Sequence, residues 1–135
     1  MSYRVAEIEG IGEVIAGKLA AVGIKTTADV LEQCGSAKRR KVTAEKTGID
    51  EKQLLAFANM ADLMRIDGVA GEFSELLEAA GIDTVKELQH RNVDNLASKL
   101  AEVNERKKLT RRVPSAAEVA KWVEQAKTLP PMVSH

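Results

Sequence analysis

Near the start of the chain, Gly10-Ile11-Gly12 has the residue types and spacing to hold a phosphate group. A glycine-containing turn that leads into a helix points main-chain N–H groups, and the positive end of the helix dipole, at an anion. A weaker version, Gly68-Val69-Ala70, stands 58 residues later with alanine replacing the second glycine. Glu13 follows the first triplet and Glu72 lies just past the second. Carboxylates there stabilise their own helices and compete with a phosphate. Positive charge to accompany the turns lies in two clusters. One is Lys38-Arg39-Arg40-Lys41, with Lys18 upstream; the other is Arg106, Lys107 and Lys108 with Arg111 and Arg112. Clusters that share a side with Gly10–Gly12 can track two stretches of nucleic-acid backbone. The competing reading of each cluster is a solvated helix face.

The elements that must position these residues repeat along the chain. Across Ile8–Leu31 against Ile66–Gln89, seven of 24 positions are identical without a gap: Ile8, Gly10, Leu19, Ala21, Gly23, Ile24 and Thr26 all recur. Each copy reads as a short turn of helix, a tight hairpin and a second helix. Ile15, Leu19 and Val22 form one apolar stripe on the first of these second helices. Gly23 sits where a helix end favours a left-handed residue. Thr26-x-x-Asp29 then opens the next helix as a capping box, mirrored by Thr84-x-x-Glu87. The same signals place helices near 3–8, 13–22, 28–34, 37–47, 51–65, 71–80, 85–90, 93–108 and 116–128. Asp50-x-x-Gln53 and Ser115-x-x-Glu118 supply further boxes, the second behind Pro114. No segment alternates with period two, so strands are not expected. At a shift of 65, Phe57 meets Trp122 and Ala61 meets Ala126, so the closing helices correspond as well. Pro130-Pro131 and the few residues after them read as a stop and a frayed tail.

The pattern carried by Val5, Ile8, Gly10, Ile11, Gly12, Ala16, Leu19, Gly23, Ile24, Thr26 and Asp29 resembles the helix-hairpin-helix superfamily. Further stretches, among them Lys46-Thr47-Gly48-Ile49, 61–66, 103–109 and 111–114, resemble a bacterial family of unknown function described as flap-endonuclease-like, helix-three-turn-helix. The resemblance implies an all-α fold: two tandem helix-hairpin-helix pseudo-repeats packed as one compact helical array. Residues 1–65 would form the first half and 51–135 the second, sharing the 51–65 helix as one cooperative unit. For function it implies contact with DNA backbone.

Composition narrows the rest. With 20 basic and 20 acidic side chains the formal charge is zero, which disfavours strong, dedicated nucleic-acid binding. Aromatic residues make up only 3%, so aliphatic side chains must fill the core, with Phe57 and Trp122 expected inside. One cysteine, Cys34, and two histidines provide no zinc-ligand spacing, and no metal or cofactor is expected. Cys34 reads as a buried thiol in a reducing, cytoplasmic setting. No apolar run is long enough for a membrane span, and no signal-peptide pattern opens the chain. No phosphate-binding loop with Lys-Ser/Thr, nucleophile elbow or His-Glu-x-x-His occurs, and the chain is expected to be no enzyme. Two functions compete: weak, sequence-nonspecific binding of DNA backbone, and a scaffolding role towards an unidentified protein.

Overall fold

Local signals in the sequence set the helices almost residue for residue. The computed structural model describes residues 2–135, so residue 1 of the expected first half lies outside it. A 3-10 turn at Val5–Glu7 precedes α1 (Glu13–Ala20), α2 (Thr27–Cys34), α3 (Ala37–Thr47), α4 (Glu51–Leu63), α5 (Gly71–Ala79), α6 (Val85–Leu88), α7 (Val93–Lys107) and α8 (Ala116–Ala126). Among the described residues the only extended pairing is one isolated bridge between Arg4 and Thr26. The protein is all-helical.

Capping explains most of the starts. Thr26 and Asp29 form a reciprocal box at α2, as Ser115 and Glu118 do at α8. Ser36 and Asn92 each accept from the third helical N–H of α3 and α7. Two expected boxes do not close. Asp50 accepts from the N–H of Lys52, and Gln53 takes no part. Thr84 makes no side-chain cap at α6; separately, a distant carboxylate, Asp62, takes the N–H of Val85 at 3.0 Å.

Two apolar cores lie on either side of α4. The first gathers Val5, Ile8, Leu19, Ile24, Leu54 and Phe57. The second gathers Ile66, Leu76, Leu88, Leu100, Val119 and Trp122. Met60 and Met64 serve the first core while Leu63 serves the second, so one helix is buried from both sides. Each large side chain so buried contributes roughly 1.5–3 kcal/mol. Phe57 and Trp122 are both inside, as expected.

The 58-residue shift reappears in main-chain bonds. Ile11 donates to the Ile8 carbonyl, and Val69 to that of Ile66. Ala16 donates to Gly12, and Ser74 to Ala70. Ile24 donates to Leu19, and Ile82 to Leu77. Gly10 and Gly68 take φ of +94° and +89°, values that glycine alone adopts without strain. A Cβ on Gly10 would sit 3.6 Å from Phe57, and one on Gly68 would sit 3.5 Å from Trp122. Those two aromatic residues are themselves the pair expected at a shift of 65.

Contacts between the two cores involve little of what the sequence announces. Gly71, at the start of α5, lies so close to the Glu7 carbonyl that a side chain there would collide with it. Residues 130–134 do not fray. They run back across the surface: Leu129 packs on the second core and Val133 on the first. Arg65 holds the Pro130 carbonyl at 2.8 Å, and Ser134 donates to the Gly35 carbonyl at 2.8 Å. This correction to the expected tail has a simple cause. Two arginines buried or half-buried in the helical body need acceptors, and the tail's carbonyls supply them.

Candidate phosphate-backbone interface

The first turn is exposed at Gly10 and Gly12, while Ile11 points into the core. The N–H of Ile11 is not free for a ligand, since the Ile8 carbonyl takes it at 3.2 Å. That removes one of the three donors read from the sequence. The N–H groups of Gly10 and Gly12 make no hydrogen bond among the described residues, and further donors lie one step on. The N–H groups of Glu13, Val14 and Ile15, in the first turn of α1, find no acceptor among the described residues. Gly12 carries no side chain that could cap them, and Val14 beside them is 73% exposed.

The second turn is differently situated. Gln125 takes the N–H of Asp67 at 2.9 Å, and the Ile66 carbonyl takes that of Val69, whose side chain is fully buried. Ala70 is half-buried, and the Glu7 carbonyl presses on Gly71 immediately after it. Within Gly68-Val69-Ala70 only Gly68 is exposed; Val69 is buried in the second core and Ala70 is half-buried.

Carboxylates crowd the space between the turns. Burial raises the Glu75 carboxyl, and Glu9 of the first turn, with Glu78 and Glu72, raises it further. This acidity is the main electrostatic obstacle to an anion near Gly10.

The cation clusters divide on inspection. Lys38, Arg39 and Lys41 are exposed, with Arg39 also donating to the Glu32 carbonyl. Arg40 is not a surface cation. It is 4% exposed, and its guanidinium donates to the carbonyls of Cys34 and Gly35 at 3.0 Å each, and to Ser134 at 2.6 Å. Thr43, one turn on, donates to the Gln33 carbonyl at 2.9 Å. Together they satisfy the orphan carbonyls at the end of α2, where a cation also meets the negative end of the dipole. The sequence held a signal for this: Arg40, Thr43 and Thr47 share one helix face, and the apolar residues that usually mark an inward face are absent from it. Beside Arg40, burial pushes the Cys34 thiol up, and that cysteine is wholly buried.

In the second cluster, Lys107 and Lys108 are exposed, and Arg106 approaches Glu102 at 4.0 Å. Lys108 ends α7 in the left-handed region at φ 51°. Arg111 is 93% exposed but pairs with Glu72 at 3.6 Å. Arg112 is engaged more firmly, forked onto Glu118 at 2.6 and 2.8 Å and lying 5.2 Å over the Phe73 ring. That hydrogen bond, with one from the Ser115 main chain, holds the Glu118 carboxyl down at about 2. Lys18 is exposed near the end of α1. No hydrogen bond or ion pair links either cluster to Gly10–Gly12 among the described residues.

A family model described as a domain of unknown function, DUF4332, matches residues 9–129. The chain belongs to that family. The DUF4332 span takes in both turns, both cation clusters and all eight α-helices, and stops just before the returning segment 130–134. No curated protein and no solved structure matches the chain. Among the described residues of this DUF4332 protein, no three His, Cys, Asp or Glu side chains converge as metal ligands. No described helix is long and apolar enough to cross a membrane.

Proposed function

We propose that the chain is a tandem helix-hairpin-helix module that binds DNA backbone weakly, without sequence preference and without chemistry of its own. The matched main-chain bonds at Ile11 and Val69, and the paired glycines at 10 and 68, support the reading as two pseudo-repeats. One observation carries the binding proposal. The start of α1 is exposed and lacks any capping side chain, whereas α2, α3, α4, α7 and α8 are capped by their own residues and α6 by Asp62. The α5 start is uncapped too, but Glu7 covers it. An open helix start is a ready anion site. Lys18, Lys38, Arg39, Lys41, Lys107 and Lys108 are the cations free to add charge; Arg40 and Arg112 are withdrawn by their internal partners.

Binding of a short random duplex measured across a range of salt tests the proposal. Each phosphate neutralised contributes about −0.9 to the slope of log K against log salt, and a total of about 2–5 phosphates is expected. Replacing Lys38 and Arg39 by alanine should flatten that slope equally on unrelated sequences, because phosphate contacts carry no sequence information. Absence of binding at low salt sinks the proposal. A protein partner would then be the better reading, which the exposed Val14 beside Glu13 already favours: an apolar side chain with a neighbouring carboxylate suits a protein surface more than a phosphate.

A further inference from the structure

Among the described residues Lys108 alone, glycines apart, has a positive φ, 51°. It closes α7 as Gly48 closes α3: each donates its N–H to the carbonyl four residues back, Asn104 and Ala44, at 2.8 Å. A left-handed residue at that place is ordinarily glycine, because a Cβ there crowds its own backbone. Lys108 is exposed, and its ammonium makes no ion pair among the described residues. Within the fold, what favours lysine there is the attraction of a cation to a helix end. The turn that carries it is firmly built. Asn104 and Thr110, 9% and 8% exposed, hold each other: the Asn104 amide donates to the Thr110 carbonyl at 3.2 Å, and its oxygen accepts the Thr110 N–H at 2.9 Å. The Thr110 hydroxyl donates to the Arg112 carbonyl at 2.7 Å, and Leu109 packs on the second core. A chain of contacts also brings this turn towards the first hairpin. Arg111 pairs with Glu72 at 3.6 Å, and Gly71 beside it abuts the Glu7 carbonyl.

We propose that the turn 106–112 is a preformed second contact for the phosphate backbone, with Lys108 as its contact residue, held in a conformation that glycine would adopt more readily. The inference rests on the DNA reading above and adds which cation of the second cluster meets a phosphate. Arg112 is forked onto Glu118, Arg106 lies by Glu102 and Arg111 by Glu72. That leaves Lys107 and Lys108 unpaired among the described residues. Lys107 sits in ordinary helical geometry, whereas at position 108 the backbone disfavours any side chain, so the charge there works against the fold's own preference. An ammonium meets a phosphate as a point charge and needs no fork geometry. A turn already fixed by Asn104 and Thr110 has little freedom left to lose on binding.

Two variants of the full chain separate charge from conformation. Lys108→Gly removes the charge and relieves the backbone; Lys108→Ala removes the charge and leaves the backbone as it is. Thermal melts should place Lys108→Gly a few degrees above wild type, and Lys108→Ala at or below it. A glycine variant that melts no higher than wild type would show that the lysine serves the fold, and would overturn the inference. Binding of a short random duplex is then followed across a range of salt. Both variants should bind more weakly at low salt, and the slope of log K against log salt should become shallower by about 0.9, one phosphate, in each. The glycine variant, being the more stable, cannot lose binding by failing to fold. Unchanged affinity and slope in both variants, with wild type binding, would remove Lys108 as a contact and leave the wider DNA reading standing. A wild type that binds no duplex at low salt sinks that reading, and this contact with it.

Discussion

The Asp62 carboxylate accepts the N–H of Val85 and so starts α6 from 23 residues away. At the equivalent place in the first core, the N–H of Thr27 goes to the main-chain carbonyl of Tyr3 instead. Residue 61, which corresponds to Tyr3, lies in α4 rather than in an extended segment, and a side chain, Asp62, supplies the acceptor. Asp62 is 1% exposed and its charge is met by Arg65 at 2.8 Å.

Asp62→Ala should therefore destabilise the fold by about 3 kcal/mol or more, because it strands both the Val85 N–H and a half-buried guanidinium. Asp62→Asn keeps an acceptor and should cost less. Urea denaturation measures both. Equal, negligible losses would mean that water replaces the carboxylate freely.

Gly10 and Gly12 should behave unlike each other. Gly10→Ala places a side chain at φ +94° beside Phe57 and should cost about 1–2 kcal/mol. At Gly12 φ is −91° and nothing lies within 4 Å of a Cβ, so Gly12→Ala meets no clash and should cost only about 0.5–1 kcal/mol, through alanine's poorer fit at the helix N-cap. Thermal melts of the two variants decide this. The tolerated Gly12→Ala also makes a clean probe of any phosphate contact.

Gly71→Ala should disturb the join between the cores without touching either interior. The new methyl must push the Glu7 carbonyl aside, at a cost of about 1–3 kcal/mol. Hydrogen exchange should show added opening around 7–12 and 70–72 and little change deep in either core. Uniform loss of protection everywhere would contradict this.

Glu75→Gln should stabilise the protein at neutral pH. The carboxyl is raised from its ordinary 4.5 by burial and then by Glu9, so the folded state disfavours its ionised form. That penalty is absent at low pH, grows as pH rises through 4.5, and is complete above the folded value. The variant's advantage should follow the same course, vanishing below about pH 4 and reaching a few degrees in Tm above it. Melts at several pH values test the sign; a variant less stable at pH 7 would refute it.

Where an element's cause is local, the sequence made it legible. The starts of α2, α3, α7 and α8 rest on caps within three residues, and the turns at Gly10, Gly23, Gly68 and Gly81 on glycine's tolerance of positive φ. The hidden causes are non-local. Arg40 looked like one of four equivalent cations until the end of α2 was seen to need it. Thr84-x-x-Glu87 looked like the twin of Thr26-x-x-Asp29, but its threonine accepts no helix N–H, and Asp62 reaches Val85 from 23 residues away. Likewise Gly71 carried no sign of its meeting with Glu7, because nothing in a string of residues announces a contact 64 positions away. In the candidate site, the turn and the helix start behind it were legible as donors, and the loss of one of them was not. Ile11 was counted among them, but the hairpin's own hydrogen bond uses its N–H.

The Arg40–Ser134 bond joins residues 94 apart, and this bears on the order of assembly. A chain made from its N-terminus can complete the first core once α4 has emerged, since its main members lie between Val5 and Met64. Through all of that time Arg40 has only the carbonyls of Cys34 and Gly35. Its last partner, the Ser134 carbonyl, arrives only after 94 further residues have been made. Closing so long a loop brings one carbonyl to a guanidinium already in place, so the segment 130–134 should gain protection only after the first core has formed.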